Sequence, residues 1–199
     1  MACPAASPVR GMTKVSRRPP LTIAASRSSS QTPSARASMG VRYAVGCAMQ
    51  ADREHETYMR RCLALAEDAR STGDAPVGSL IVCGDEVVAE GREAVRARQD
   101  VTAHAEIEAL RAAFARRGSR DLTGGVLYTS VEPCVMCAYA IRLARISLVV
   151  SGARSGDAAA PISGFVVLTD PTILPNYSPP KVARDVLIEE CQAILDRIT

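Results

Sequence analysis

No stretch of this 199-residue chain approaches the roughly 18 consecutive apolar residues that a membrane-spanning helix needs, so a helical membrane span is excluded. Its seven cysteines, an odd number at irregular spacing, do not read as a disulfide framework, which points to a reducing compartment. Acidic residues are absent from the first 51 positions, where Arg10, Lys14, Arg17, Arg18, Arg27, Arg36 and Arg42 stand. Sustained periodicity is absent there too. A Ser-, Ala-, Pro- and Arg-rich segment of that kind cannot build a core, so residues 1–51 are expected to be a disordered basic tail and residues 52–199 the folded domain. Two origins fit such a tail. It resembles a plastid or mitochondrial transit peptide, or the start codon lies too far upstream and Met39 or Met49 opens an intracellular, cytoplasmic protein.

The same division decides what the net charge means. The tail carries +7; the rest holds 17 of the 24 basic residues against all 21 acidic ones, a net charge of −4. Tight RNA binding draws much of its affinity from phosphate neutralisation, so an acidic body weakens the case for an RNA substrate.

The folded part opens with an amphipathic helix over 52–70, its Met59, Leu63 and Ala66 on one side and Gly73 beyond its end. Val77 to Val82 is an apolar run suited to a buried strand, and Gly84-Asp85 turns the chain back into a hairpin with 86–91. Residues 92–101 read as loop. His104 to Arg117 is a second helix with Ile107, Leu110, Ala113 and Phe114 as its stripe, closed by two arginines and Gly118. A strand over 126–130, a helix over 133–143 with Val135, Ala138 and Ile141 inward, and a strand over 146–151 follow. Phe165 to Leu168 reads as a short strand and Asp170 to Pro180, with four prolines, as an irregular loop. Lys181 to Ile198 reads as a final amphipathic helix.

Two stretches carry chemistry: Thr102-Ala103-His104-Ala105-Glu106 and Glu132-Pro133-Cys134-Val135-Met136-Cys137. One imidazole and two thiolates suit zinc better than magnesium, calcium or manganese, and three protein ligands leave a fourth position for water, whose pKa zinc lowers to roughly 7. Pro133 suits the first position of a helix, which puts Cys134 and Cys137 in its first turn, at i and i+3, where the dipole favours thiolate. Glu106, two residues from His104, points away from the ligand direction and is placed to carry protons. A C-x-x-C pair alone also serves structural zinc half-sites and redox couples. Closing this site structurally needs a fourth ligand from Cys83, Cys191 or His55.

H-A-E followed by P-C-V-M-C resembles the zinc-dependent cytidine/deoxycytidylate deaminase superfamily, whose general signature is H-x-E with P-C-x-x-C. Pro76-Val77-Gly78, Asp100 to Ile107 and Leu127 to Cys137 are most similar to its branch of tRNA adenosine deaminases and guanine and cytosine deaminases, and the likeness spans about residues 54–156. The resemblance implies an α/β fold, a three-layer α/β/α sandwich on a mixed sheet of about five strands, and a homodimer whose partner helps wall the pocket. It implies zinc on His104, Cys134 and Cys137, with Glu106 as the catalytic proton carrier. Glu132 is expected to orient the ligands. The expected function is hydrolytic deamination of a nucleobase or nucleoside, releasing ammonia. The alternatives are conversion of the wobble adenosine of tRNA to inosine and a non-catalytic zinc-bearing subunit. Glu93 stands where tRNA-acting relatives usually have an asparagine that touches substrate; it either accepts hydrogen bonds from an amino-bearing base edge or is a solvated loop charge. Tyr139 narrows the pocket, stacks on a base or packs in the core. Asp170 and Tyr177 are candidate substrate contacts from the long loop.

Overall fold

A computed structural model describes residues 37–154 and 164–197, with side chains from residue 52 onward. Met39–Thr199 form one compact unit. In chain order its elements are α1 (Ala37–Ser71), β1 (Gly78–Cys83), β2 (Glu86–Arg92), α2 (Val95–Arg98), α3 (Ala105–Arg117), β3 (Val126–Val131), α4 (Val135–Leu143), β4 (Leu148–Ala153), α5 (Gly164–Thr169), β5 (Lys181–Ala183) and α6 (Ile188–Leu195).

The strands form one mixed sheet in the order β2-β1-β3-β4-β5. β1 pairs antiparallel with β2 and β3, while β3, β4 and β5 run parallel. Alternate residues feed two cores. Ile81, Leu127 and Val149 face α3, α4 and α5 with Leu110, Ala113, Ala138, Ile141, Phe165 and Leu168. Leu80, Val82, Tyr128 and Val150 face α1 and α6 with Met59, Cys62 and Cys191. A sheet buried on both sides has apolar strands rather than alternating ones, and this is why β1, β3 and β4 read as nearly continuous hydrophobic runs. The architecture is the expected three-layer α/β/α sandwich on five strands. Among the described residues no helix is long and apolar enough to cross a membrane.

Four expectations need correction. The first helix starts at Ala37 rather than at 52, so the backbone of 37–51, assigned to a disordered tail, is helical; residues 1–36 lie outside the described residues. Within 92–101, Val95–Arg98 make a short helix, α2, because Asp74 Oδ1 accepts the N–H groups of Arg96 at 2.6 Å and Ala97 at 3.3 Å. Phe165 to Leu168 is the body of helix α5 rather than a strand, and the Thr169 hydroxyl closes it on the Phe165 carbonyl at 2.7 Å. A short apolar run carries no period that separates the two choices. The sheet position beside β4 belongs instead to Lys181–Ala183, taken out of the helix expected over 181–198. Asp185 and Leu187 have positive φ (63° and 51°), which no α-helix accommodates, so α6 starts only at Ile188.

The site's position follows from one close approach. Gly91 in β2 lies so near the start of α3 that a Cβ there would sit 2.2 Å from the Ala105 carbonyl oxygen and 2.4 Å from the Ala109 nitrogen. The bare backbone lets α3 lie directly on β2. Ala94 N–H donates to the Ala103 carbonyl at 3.0 Å and pins the intervening turn. Gly91→Ala therefore collides with backbone that cannot swing aside, and a cost of at least about 1–3 kcal/mol is expected. Gly118→Ala meets open space and only a left-handed φ of 61°, at about 1 kcal/mol. Thermal unfolding checks this: equal losses for the two variants would show that the β2–α3 contact does not constrain the fold.

Candidate active site

Two helix starts converge. His104 is the N-cap of α3 with an extended backbone (φ −71°, ψ 152°), and Cys134 is the N-cap of α4 (φ −69°, ψ 171°). Pro133, expected inside the helix, stands one residue before the cap. Cys134 and Cys137 are thus the cap and third helical residue rather than two first-turn residues, and Val135, expected inward, is exposed. Cys134 Sγ lies 3.6 Å from Cys137 Sγ and 3.7 Å from His104 Nδ1, and the three donor atoms all lie within 4.8 Å of one another. Tetrahedral zinc with bonds of about 2.3 Å to sulfur and about 2.0–2.1 Å to nitrogen requires S···S near 3.8 Å and N···S near 3.6 Å. The donors fit that ion. No fourth His, Cys, Asp or Glu joins them among the described residues. His55 instead bonds the Tyr128 hydroxyl at 2.9 Å, and Cys191 packs in the α1/α6 core. Three donors and an open position are the composition of a catalytic rather than a structural centre.

The electrostatics agree. Cys134 is pushed down to about 4, first by the S–H of Cys137 and then by the His104 ring. Cys137 is raised because it donates that hydrogen bond and is buried. His104 is raised to about 9, chiefly by the Cys134 sulfur at its Nδ1. A cation held among them would take the place of those shared protons.

Glu106, in the first turn of α3, is 3 % exposed, and its Oε1 accepts the Thr129 hydroxyl at 3.0 Å. Burial raises its carboxyl above the usual range, against the lowering influence of its own backbone N–H, the Thr129 hydroxyl and the neighbouring Cys137. A carboxyl kept dry next to a metal-donor set is suited to shuttling protons. Glu93 is also buried, at 7 % exposure, with Oε2 accepting the Ala105 N–H at 3.2 Å. Burial pushes it up to about 7 against the lowering influence of His104. It is not a solvated loop charge.

The family model of the cytidine and deoxycytidylate deaminase zinc-binding region matches residues 52–153, which hold all of these groups. The chain belongs to this family. It is 36 % identical over 118 residues to a tRNA-specific adenosine deaminase of Aquifex aeolicus, covering 59 % of this chain and 78 % of that protein. It is 42 % identical over 106 residues to a guanine deaminase of Bacillus subtilis, covering 53 % and 68 %. A solved structure from work on A-to-I editing by tRNA:A34 deaminases superposes with a TM-score of 0.63 at 34 % identity, covering 70 % of this chain and 99 % of that one.

The other expected contacts of this deaminase-family domain divide. Glu132, half-buried between β3 and Cys134, holds the Ala153 carbonyl through its backbone N–H at 2.8 Å, and its charge is felt by Arg154. Tyr139 is exposed rather than packed in the core. Asp170 and Tyr177 are tied elsewhere than the donors. The Asp170 carboxylate closes a local turn on the Thr172 N–H and hydroxyl at 2.8 and 2.7 Å. Tyr177 lies under Arg145, 5.6 Å from its ring centroid, and lines a 590 Å³ groove between α3 and α4 that includes none of His104, Glu106, Cys134 or Cys137. Sequence reasoning missed Thr129. Its signal was the strand alternation that puts 127 and 129 on the α3 side of β3.

Glu93 generates a pH prediction for the protein stripped of metal by a chelator. Its folded carboxyl holds a proton up to about pH 7, whereas an unfolded one ionises near 4.3. Between those values the folded state binds more protons, so this group's contribution to stability falls as pH rises and levels off above 7. Glu93→Gln should leave stability unchanged near pH 4.5 and raise it increasingly towards pH 7.5, by up to roughly 3 kcal/mol. Denaturant midpoints at the two pH values measure this. A constant difference would mean that Glu93 does not titrate in that interval.

Proposed function

We propose that this domain is a zinc-dependent hydrolytic deaminase acting on the amino-bearing ring carbon of a nucleobase or nucleoside. The observation that carries the reading is the donor set itself: His104, Cys134 and Cys137 at tetrahedral edge lengths with buried Glu106 beside them. In this reading zinc, held by those three residues, supplies the Lewis acidity that makes water a nucleophile at neutral pH. Glu106 would take one proton from the attacking water and deliver it to the ring nitrogen, then take the second from the hydroxyl left on the ring carbon and deliver it to the departing amino group. The water oxygen bonds to the ring carbon, the C–N bond breaks, and ammonia leaves. Thr129 holds the Glu106 carboxyl by its hydroxyl, so the proton carrier keeps one orientation through both transfers. Glu132 orients the Cys134 turn.

The free base or nucleoside is supported by the net charge of −4 over residues 52–199 and by the buried carboxyl of Glu93, which accepts hydrogen bonds from an amino-bearing edge. A second reading, wobble adenosine in tRNA, is favoured by the likeness to tRNA:A34 deaminases over 99 % of the matched chain. Purified protein given guanine, cytosine, adenine, their nucleosides and a tRNA anticodon stem, with ammonia release followed for each, separates the two. Glu106→Ala should keep about one zinc per chain and lose turnover by about 10²–10⁴-fold. Retained turnover would exclude Glu106 as the proton carrier.

The domain further acts as a homodimer in this proposal. Val135, Tyr139 and Leu143 stand 42 %, 44 % and 44 % exposed at i, i+4 and i+8 on α4, an apolar stripe of the kind a second copy covers. The groove beside it is floored by Leu110, Phe114 and Leu143. Sedimentation at micromolar concentration should give a dimer for the native protein and a monomer for Val135→Glu with Leu143→Glu. A native monomer that turns over substrate at the same rate would refute the assembly.

A further inference from the structure

Arg142 is fully buried, at 0 % exposure, on the inner side of α4, five residues beyond Cys137. A buried guanidinium ordinarily sits opposite a carboxylate, because an unpaired charge inside a protein is costly. Here its contacts are backbone. Nη1 donates to the carbonyls of Val167 at 3.0 Å and Asp170 at 2.6 Å; Nη2 donates to those of Leu174 at 3.1 Å and Tyr177 at 2.7 Å. Nε has no partner among the described residues. Four carbonyls spread over eleven residues, from the last turn of α5 through the irregular chain that follows, are gathered on one planar fork, an arrangement that a point-like ammonium cannot reproduce.

The strap so gathered, residues 167–177, continues directly from the start of α5, and α5 starts on the metal-donor turn. A Cβ on Gly164 would lie 1.8 Å from the Pro133 carbonyl oxygen and 3.0 Å from the Cys134 carbonyl carbon. Phe165 follows, buried, with the Arg184 guanidinium 3.5 Å over its ring. Arg142 therefore joins the far end of α4 to the segment that presses on its near end, where Cys134 and Cys137 stand.

We propose that Arg142 is a positioning residue for the Cys134–Cys137 pair: by gathering the 167–177 strap it seats α5 on the Pro133–Cys134 turn and fixes the wall beside the donors. The inference rests on the reading of His104, Cys134 and Cys137 as zinc ligands, and its test has readouts that do not need turnover. In Arg142→Gln and Arg142→Lys, amide exchange should lose protection across 167–177 and stay unchanged in β1 and β3. Cys137, buried in the native protein, should be alkylated about tenfold faster in the chelator-treated variants, read by mass spectrometry of its peptide. Zinc-loaded variants should release the ion to a chelator about tenfold faster, and where the native protein has a substrate, KM should rise by about tenfold with kcat within about threefold. The Lys variant should resemble Gln, since charge without the fork reaches fewer carbonyls. Should the Arg142 variants fail to fold, Gly164→Ala, which pushes α5 off Pro133 while keeping the Arg142 guanidinium itself, should give the same faster alkylation and zinc release. Loss of protection in the strap with native alkylation and zinc-release rates would overturn the inference, as would a fully native Lys variant. A native protein that takes up no zinc would sink the ligand reading separately, and the alkylation rates would still decide the role of Arg142.

Discussion

The structure depends on bringing the side chains of two helix N-caps within 3.7 Å of each other. A helix cap has extended backbone and a side chain that stands clear of the helix barrel. With His104 capping α3 and Cys134 capping α4, both donors can approach one point while the helices themselves pack against the sheet. Cys137, one turn into α4, supplies the third donor from the same side because i and i+3 share a face. That geometry tolerates little displacement. Donor separations of 3.6 and 3.7 Å leave no room for the helices to slide, and two glycines remove the side chains that would force them apart. Gly91 lets α3 rest on β2, and Gly164 lets α5 rest on the turn before Cys134.

Polar groups buried around this point are held by backbone more than by one another. Glu93 accepts an amide of the α3 start, Asp74 accepts the amides that open α2, and Arg142 gives its protons to four carbonyls. Glu106 is the exception, with a side-chain donor, Thr129, from the central strand. Groups tied to loop backbone fix those loops in place; the Glu106 carboxyl is met instead by the Thr129 hydroxyl of the central strand, its own backbone N–H and the Cys137 thiol. This is the division expected if the first three build the pocket and Glu106 works within it.

The sequence made the sheet and the donors legible for the same reason. Strands buried on both faces are apolar throughout, and Gly84-Asp85 marks a turn between two of them, so β1, β2, β3 and β4 could be placed to within a residue or two. His104, Glu106, Cys134 and Cys137 declare themselves by residue type and order. Beyond Gly156 that legibility ends, and the physics says why. Phe165 to Leu168 is a run too short to have a period, and its Val167 carbonyl is held by Arg142, 25 positions away in sequence. Lys181–Ala183 becomes a strand because β4 offers it an unpaired edge, which outweighs a helical pattern that two positive-φ residues interrupt. Nothing local encodes either choice. Asp170 and Tyr177 stand on the segment read as an irregular loop, and it is one; its carbonyls turn inward to Arg142 and its Tyr177 ring turns to Arg145.

α4 concentrates these demands on nine residues. Its N-cap and first turn hold the sulfur donors Cys134 and Cys137, its inner side holds Ala138, Ile141 and Arg142, and its outer side presents Val135, Tyr139 and Leu143. A helix so short has little stability of its own, so its position is set by what packs on each side. The sheet and α3 fix the inner side through the apolar core, and α5 with the strap fixes the end beyond Arg142. The outer stripe is the side on which the proposed second copy would sit. A second copy seated there would complete the support of the helix that carries two of the three donors, which couples assembly to the metal site through rigid packing and requires no side chain of the partner to reach the reacting base. In that arrangement the geometry of the centre is a property of the assembled dimer, and the helix between them is the element that transmits it.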